Sequence, residues 1–85
     1  MPTYVSLINW TEKGVADFKS TVDRAEAGNT LAGAFGGALK EIYWTLGAYD
    51  IVVISEAPDD ESATAFALTL ASQGNVRKTT MRAFD

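Results

Sequence analysis

Tyr43-Trp44-Thr45-Leu46-Gly47-Ala48-Tyr49-Asp50-Ile51-Val52-Val53-Ile54 is the stretch around which this chain is organised. Aromatic and β-branched residues lie on both sides of Gly47-Ala48, and a glycine at the first position of a two-residue loop is typical of a type II′ hairpin turn. The pattern therefore predicts two antiparallel strands, residues 38–46 and 50–56, joined by a two-residue turn. We expect one strand and one helix before this hairpin, and one helix and one strand after it.

The first predicted strand covers residues 3–10, which are rich in β-branched and aromatic side chains. Both alternating sets of side chains in this stretch are largely apolar. Such a strand is covered on both faces, usually because it is central in its sheet. Thr11 follows as a helix N-cap, with Glu12 in the first turn where a carboxylate favours the helix dipole.

The next segment is predicted to be an amphipathic helix that lies on the sheet. Its apolar stripe at helical spacing comprises Val15, Phe18, Val22, Ala25, Ala32 and Phe35. Because Gly28-Asn29 lowers helix propensity, we expect a kink or two helical pieces, residues 12–27 and 29–35. Gly36-Gly37 should end the helix, since a left-handed position after a helix suits glycine.

The second half of the chain repeats this order of elements. Asp59-Asp60-Glu61 predicts a helix N-terminus with acidic residues in its first turn, and Gly74 predicts the end of that helix. Residues 76–84 are predicted to form a more polar edge strand. The order β-α-β-β-α-β with right-handed crossovers predicts one α+β domain over residues 1–85, with a ferredoxin-like, four-stranded antiparallel sheet and both helices on one face.

That arrangement leaves one sheet face uncovered. On the predicted central strands the uncovered side chains are apolar whichever alternating set faces away from the helices, and a patch of this kind usually marks an interface or ligand groove. Two such sheets packed face to face would bury both patches and enclose a cavity. We therefore predict a homodimer, or a higher even oligomer, with the architecture of a dimeric α/β barrel.

The composition argues against several functional classes. The 85 residues include no Cys and no His, which removes a thiolate nucleophile and the commonest general base, metal ligand and haem ligand. The net charge of −4 disfavours nucleic acid as a partner. No apolar run approaches the roughly 18–20 residues of a membrane helix, and no signal peptide opens the chain. We therefore expect a cytoplasmic protein with no metal, no cofactor, no nucleic-acid partner and no membrane partner.

The hairpin sequence also resembles a known family. Thr45-Leu46-Gly47-Ala48-Tyr49-Asp50 matches the T-x-G-x-Y-D signature of the GYD domain family. Further matches are Tyr4-Val5-Ser6-Leu7, Asn9-Trp10-Thr11, Gly36-Gly37, Glu56-Ala57-Pro58-Asp59-Asp60-Glu61, Gly74-Asn75-Val76-Arg77 and Thr80-Met81-Arg82-Ala83-Phe84. The resemblance covers essentially the whole chain and implies a dimeric α/β barrel. It implies no activity, because the family is one of uncharacterised function.

Six residues are candidates for binding a ligand: Asn9, Trp10, Tyr43, Trp44, Tyr49 and Asp50. A phenol and a carboxylate at the hairpin could orient or deprotonate a small substrate. We favour the structural alternatives, in which Asp50 binds main-chain amides near the turn and the aromatic side chains fill the core.

Three basic residues on the last strand, Arg77, Lys78 and Arg82, could bind an anionic ligand. Strand alternation places Arg77 on the face opposite to the other two. We therefore favour ion pairs with acidic residues, or protection of an edge strand, over one binding cluster.

Two functional hypotheses follow. The one we favour is a non-catalytic homo-oligomeric domain that binds a small apolar or aromatic ligand or serves as an assembly unit. The alternative is a cofactor-independent enzyme resembling the monooxygenases of the dimeric-barrel superfamily, with the six candidate residues around an aromatic substrate. The sequence does not decide whether the protein is an enzyme.

Overall fold

Four antiparallel strands form one sheet in the computed structural model, which describes residues 1–85. The strands are β1 (Thr3–Trp10), β2 (Ala38–Trp44), β3 (Ile51–Glu56) and β4 (Val76–Ala83), in the spatial order β2-β3-β1-β4. The helices are α1 (Glu12–Ala16), a 3-10 turn (Phe18–Ser20), α2 (Thr21–Ala34) and α3 (Asp60–Ser72). This order confirms the predicted α+β, ferredoxin-like β-α-β-β-α-β fold, which is the subunit architecture of dimeric α/β barrels.

The register of the two central strands determines which side chains meet the helices. Ile8 lies opposite Ile51, and Ser6 lies opposite Val53. These four residues are buried beneath the helical layer. Their neighbours in sequence point to the other face, which no element of the chain covers. The core is small, since nine of 85 residues are buried.

The first helical segment breaks at a different place from the one predicted. Helix α2 runs continuously through Gly28 and Asn29, and the break falls at Asp17, whose backbone leaves the helical region (φ −115°, ψ 42°). Packing against β2 explains the continuity, because the Asn29 side-chain oxygen accepts a hydrogen bond from the Leu39 main-chain amide (3.1 Å). The predicted pieces over 12–27 and 29–35 are therefore wrong.

This break redirects part of the predicted apolar stripe. Val15, Phe18 and Val22 point to solvent and are 49%, 53% and 57% exposed. The later members of the stripe face the sheet, and Ala32 is buried. The short α1 helix and the 3-10 turn do not keep the rotation of one continuous helix, so only the second half of the stripe contributes to the core.

Helix α1 sits against the turn that precedes β4. The Thr11 main-chain amide donates to the Asn75 carbonyl (3.1 Å), and the Thr11 hydroxyl donates to the Gly74 carbonyl (2.6 Å). A Cβ atom at Gly14 would lie 2.0 Å from the Asn75 carbonyl oxygen. Only glycine therefore allows α1 this close approach.

The hairpin loop is longer than the predicted two-residue turn. Strand β2 ends at Trp44 and β3 begins at Ile51, and the Thr45 amide donates to the Asp50 carbonyl (2.8 Å) to close the loop. The Thr45 hydroxyl donates to the Tyr49 carbonyl (2.6 Å). This hydrogen bond spans the loop beyond the point where the pairing of β2 with β3 ends. Gly47 has a φ of +120°, a conformation that favours glycine.

Asp50 links this loop to the central strand β1. Its main-chain amide donates to the Ile8 carbonyl (2.9 Å), and its carboxylate accepts a hydrogen bond from the Trp10 amide (2.9 Å). The Asp50 carboxylate therefore binds a main-chain amide, as expected, but this amide belongs to the end of β1 and not to the hairpin turn.

The second half of the chain follows the prediction closely. The Asp59 carboxylate caps α3 by accepting from the Ser62 amide (2.7 Å), and this hydrogen bond lowers the pKa of Asp59. Gly74 has a left-handed φ of +80° just beyond the end of α3, and β4 ends one residue before the predicted limit. None of the helices is both long enough and apolar enough to cross a membrane.

Replacing Asp50 with Ala should lower the free energy of unfolding by about 1–3 kcal/mol, because the half-buried Trp10 amide loses its hydrogen-bond acceptor. Urea denaturation of the purified variant measures this loss. Asp50→Asn is the matched control, because its side-chain oxygen still accepts a hydrogen bond and should restore most of the stability. Equal stability of wild type and Asp50→Ala would contradict the structural role of this carboxylate.

Candidate functional site

The six residues predicted to bind a ligand do not lie together. Trp10 and Trp44 lie on the helical side of the sheet, where they line one cavity. Asn9 and Tyr43 lie on the uncovered side, as the strand register requires. The remaining two belong to the hairpin loop, where Tyr49 is 39% exposed and Asp50 binds the main chain of β1. The structure thus divides the predicted site between two faces and a loop.

The uncovered sheet face carries a contiguous apolar surface. Val5 lies between Ile54 and Met81 in the register of the sheet, and Leu7 lies next to Val52. We call these five residues the open-face patch. The four aliphatic side chains on the central strands are half-buried by their own neighbours, whereas Met81 on the edge strand is 43% exposed. In a single subunit this patch meets water.

Polar groups border the open-face patch at both edges of the sheet. On β2, the Tyr43 hydroxyl donates to the Glu41 carboxylate. This hydrogen bond, together with the negative charge of Glu41, raises the pKa of Tyr43. On the other side Asn9 lies opposite Arg77 of β4. The face therefore has an apolar centre and a polar border, which is the usual anatomy of a protein interface.

The helical side contains a cavity of about 80 Å³ between α2, the end of α3 and the sheet, and the cavity is partly open to solvent. Its wall is formed by Ile8, Trp10, Thr21, Arg24, Ala25, Gly28, Leu39, Ile42, Trp44, Ile51, Val53, Leu70, Gln73, Asn75 and Val76. The Arg24 guanidinium already donates to the carbonyls of Asp17 (2.8 Å) and Gly14 (3.1 Å). The wall is thus mainly apolar, and its one charged group is held by main-chain oxygens.

At the rim of this cavity the Trp44 indole nitrogen donates to the Thr21 hydroxyl (2.9 Å). This contact joins the end of an edge strand to the start of α2. The sequence alone did not predict this contact, because the first helix was expected to begin at residue 12 and not to restart at residue 21. The change of direction at Asp17 is what brings Thr21 over the sheet.

The basic residues of β4 do not form one cluster. Arg82 pairs with Asp60 (3.3 Å), and Asp60 also accepts the Tyr4 hydroxyl (2.5 Å), which raises the pKa of Tyr4. Lys78 forms no ion pair, and its amine lies 5.0 Å from the centre of the Phe66 ring. Burial lowers the pKa of Lys78.

These arrangements determine what the molecule can do chemically. No group of three or more Asp, Glu, His or Cys side chains is placed to hold a metal ion. The Asp50 carboxylate accepts the Trp10 amide on one oxygen, so its structural role occupies only part of its capacity to accept hydrogen bonds. The surfaces that the fold offers are suited to binding: an apolar sheet face, a mainly apolar cavity, and the exposed apolar side chains of Val15, Phe18 and Val22 on the helical side.

Comparison with known proteins gives matches along the whole chain. A family model of the GYD domain matches residues 4–85. A protein of Thermus thermophilus named "Glutamine synthetase and cystathionine beta-lyase binding protein" is 33% identical over 84 residues, which cover 98% of this chain and 88% of that protein.

Solved structures share the fold at lower sequence identity. MtbAldR superposes with a TM-score of 0.77 and 14% identity over 99% of this chain, which spans about half (53%) of MtbAldR. The protein TTHA0845 of Thermus thermophilus superposes with a TM-score of 0.63 and 23% identity, over 100% of this chain and 95% of that one. These two likenesses establish the fold alone. The family model, which extends from the first strand to the last residue, shows that this protein belongs to the GYD domain family.

Proposed function

We propose that this protein is a homodimeric binding and assembly domain. Two subunits pack their open-face patches together to form an α/β barrel, alone or as the unit of a higher even oligomer, and the helical side then binds another protein. The observation that carries the proposal is the open-face patch itself, an apolar surface on the two central strands and the adjoining β4 that no element of the chain covers.

The small core supports the dimer. With nine buried residues, a single subunit leaves much of its apolar surface in water, and small domains often complete their core by association. Packed sheets lie about 10 Å apart with interdigitated side chains. Val5, Leu7, Val52 and Ile54 would become the centre of such a layer, and the Tyr43–Glu41 pair would lie at its edge.

The named role of the Thermus relative supports binding to proteins. That protein is named for binding two enzymes, glutamine synthetase and cystathionine beta-lyase, and its identity to this chain extends over nearly the whole domain. We therefore propose an enzyme of nitrogen or sulfur amino-acid metabolism as the partner class.

The surface proposed for this partner is the apolar ridge of Val15, Phe18 and Val22. Each of these side chains is about half exposed, on the bend between α1 and α2. The ridge belongs to the helical layer, opposite the open-face patch, so a dimer would present two ridges at once. Large apolar side chains that are exposed close together along the chain are typical of binding surfaces.

A cofactor-independent enzyme is the second candidate. The observation that favours it is the contact between the Tyr43 hydroxyl and the Glu41 carboxylate, because both residues would border the barrel interior of the proposed dimer. Native mass spectrometry of gently purified protein tests it. A dimer that carries a defined aromatic mass, and loses that mass in Tyr43→Phe, would favour this candidate.

The substitution Leu7→Lys should convert the dimer into a monomer at micromolar concentration. The side chain of Leu7 points away from the core, so the subunit should stay folded, but an ammonium group in the apolar centre of the interface would be desolvated without a partner. Light scattering after gel filtration measures the mass, and circular dichroism checks the fold.

The matched control for this substitution is Leu68→Lys, on the helical side of the subunit, where the leucine is 68% exposed. This variant should keep the dimeric mass. A wild-type protein that is monomeric at micromolar concentration would refute the dimer. A Leu7→Lys variant with unchanged mass would show that the open-face patch is not the interface.

Phe18→Asp should weaken binding of the partner enzyme at least about fivefold, since a central apolar contact in an interface contributes more than about 1 kcal/mol. Surface plasmon resonance with glutamine synthetase and with cystathionine beta-lyase from the same organism measures the affinity. Leu68→Asp should bind like wild type. Failure of both enzymes to bind the wild-type dimer would reject the proposed partner class.

A further inference from the structure

We propose that the cavity on the helical side is a binding site for a small, neutral, apolar molecule that enters beside Trp44. This inference goes beyond the proposed assembly role, because the cavity lies within one subunit and on the face opposite the open-face patch. It requires neither the dimer nor a partner enzyme.

The wall of the cavity favours an apolar occupant. Ten of its fifteen residues are hydrophobic, so water in the cavity finds few polar partners on its wall. The Arg24 guanidinium donates to the carbonyls of Asp17 and Gly14, and its charge is paired with the Asp17 carboxylate (3.7 Å), which disfavours an anionic ligand. A charged ligand would lose its hydration without compensation, whereas an apolar one would gain contacts that the empty space lacks.

Trp44 provides the entrance. It stands at the end of β2, next to the hairpin loop, and is 45% exposed. One hydrogen bond from its indole nitrogen to the Thr21 hydroxyl holds the ring at the rim. Rotation of this ring would widen the opening of the cavity without moving any strand of the sheet.

Gly28 leaves space in the cavity that a larger residue would fill. It is a buried wall residue in the interior of α2, where glycine is a poor helix former. A Cβ atom at this position would lie 3.6 Å from Leu39 Cδ1, which is an ordinary van der Waals contact. The backbone and its neighbours would therefore accept alanine, and the space is kept open by the residue type alone.

The volume sets the size of the ligand. A cavity of about 80 Å³ is roughly half of the ~150 Å³ that accepts benzene in an engineered protein core. Xenon or a short alkyl group fits this volume, and a single aromatic ring needs additional space, which displacement of Trp44 would supply. The ligand class is thus a neutral hydrocarbon-like molecule of no more than about one ring.

Xenon and benzene are suitable probes, and the protein carries its own reporters. The chain has two tryptophans, and both line the cavity. In ¹H–¹⁵N spectra of the wild-type protein, titration with xenon or benzene should shift both indole N–H signals in a saturable way. Benzene should also weaken the hydrogen-bonded signal of Trp44. Benzoate, of similar size but charged, should leave both signals unchanged.

Gly28→Ala and Gly33→Ala form the decisive pair of variants. Both replace a glycine of α2 with a better helix former, but a Cβ atom at Gly33 meets nothing within 4 Å and lies outside the cavity wall. Both variants should melt at higher temperature than wild type, with the larger gain for Gly28→Ala. The added methyl group of Gly28→Ala should weaken benzene binding at least about tenfold, whereas Gly33→Ala should bind like wild type.

Two results would overturn the inference: no saturable shift with either probe in the wild-type protein, or equal benzene affinity in Gly28→Ala and Gly33→Ala. Neither result bears on the proposed assembly role, because the mass of the dimer is measured separately. The same titration of Leu7→Lys should still show binding, since that substitution lies on the other face of the sheet.

Discussion

Hydrogen bonds from Asp50 link the hairpin loop to the end of β1. Three strands are paired next to this link. One residue donates its main-chain amide to Ile8 and accepts the Trp10 amide on its carboxylate, while its carbonyl accepts the Thr45 amide. These three bonds join the end of β1, the end of β2 and the start of β3. These bonds give the T-x-G-x-Y-D motif a structural role. The Thr45 hydroxyl and Gly47 determine the shape of the loop, and this shape places Asp50 beside β1.

The register fixed at that point gives the central strands their two different faces. Ile8, Ile51 and Val53 form the core cluster under the helices. Leu7 and Val52, one position away, form the centre of the open-face patch. A shift of one residue would exchange the two sets completely. The same hydrogen bonds that stabilise the hairpin therefore also determine which side chains are available for assembly.

The aromatic residues make different contacts on the two faces of the sheet. Trp10 and Trp44 line a cavity on the helical side, and the Trp44 ring connects β2 to α2 through Thr21. Tyr43, the neighbour of Trp44 in sequence, points to the opposite face and hydrogen-bonds to Glu41. Strand alternation thus divides aromatic residues that are neighbours in sequence between the two faces of the sheet. Each face can therefore bind its own partner independently of the other.

Local sequence patterns were sufficient to predict the order of the elements, the two central strands, the Asp59 cap, the end of α3 at Gly74 and the structural use of Asp50. These features depend on β-branched runs, capping side chains and positions that suit glycine, all of which act over a few residues. The remaining features depend on contacts between segments that are distant in sequence. Helix α2 passes through Gly28-Asn29 because β2 packs against it, and the bend at Asp17 turns the Val15, Phe18 and Val22 side chains outward. The choice of sheet face followed from the register of β1, since its residues are apolar on both sides and no local pattern distinguishes them.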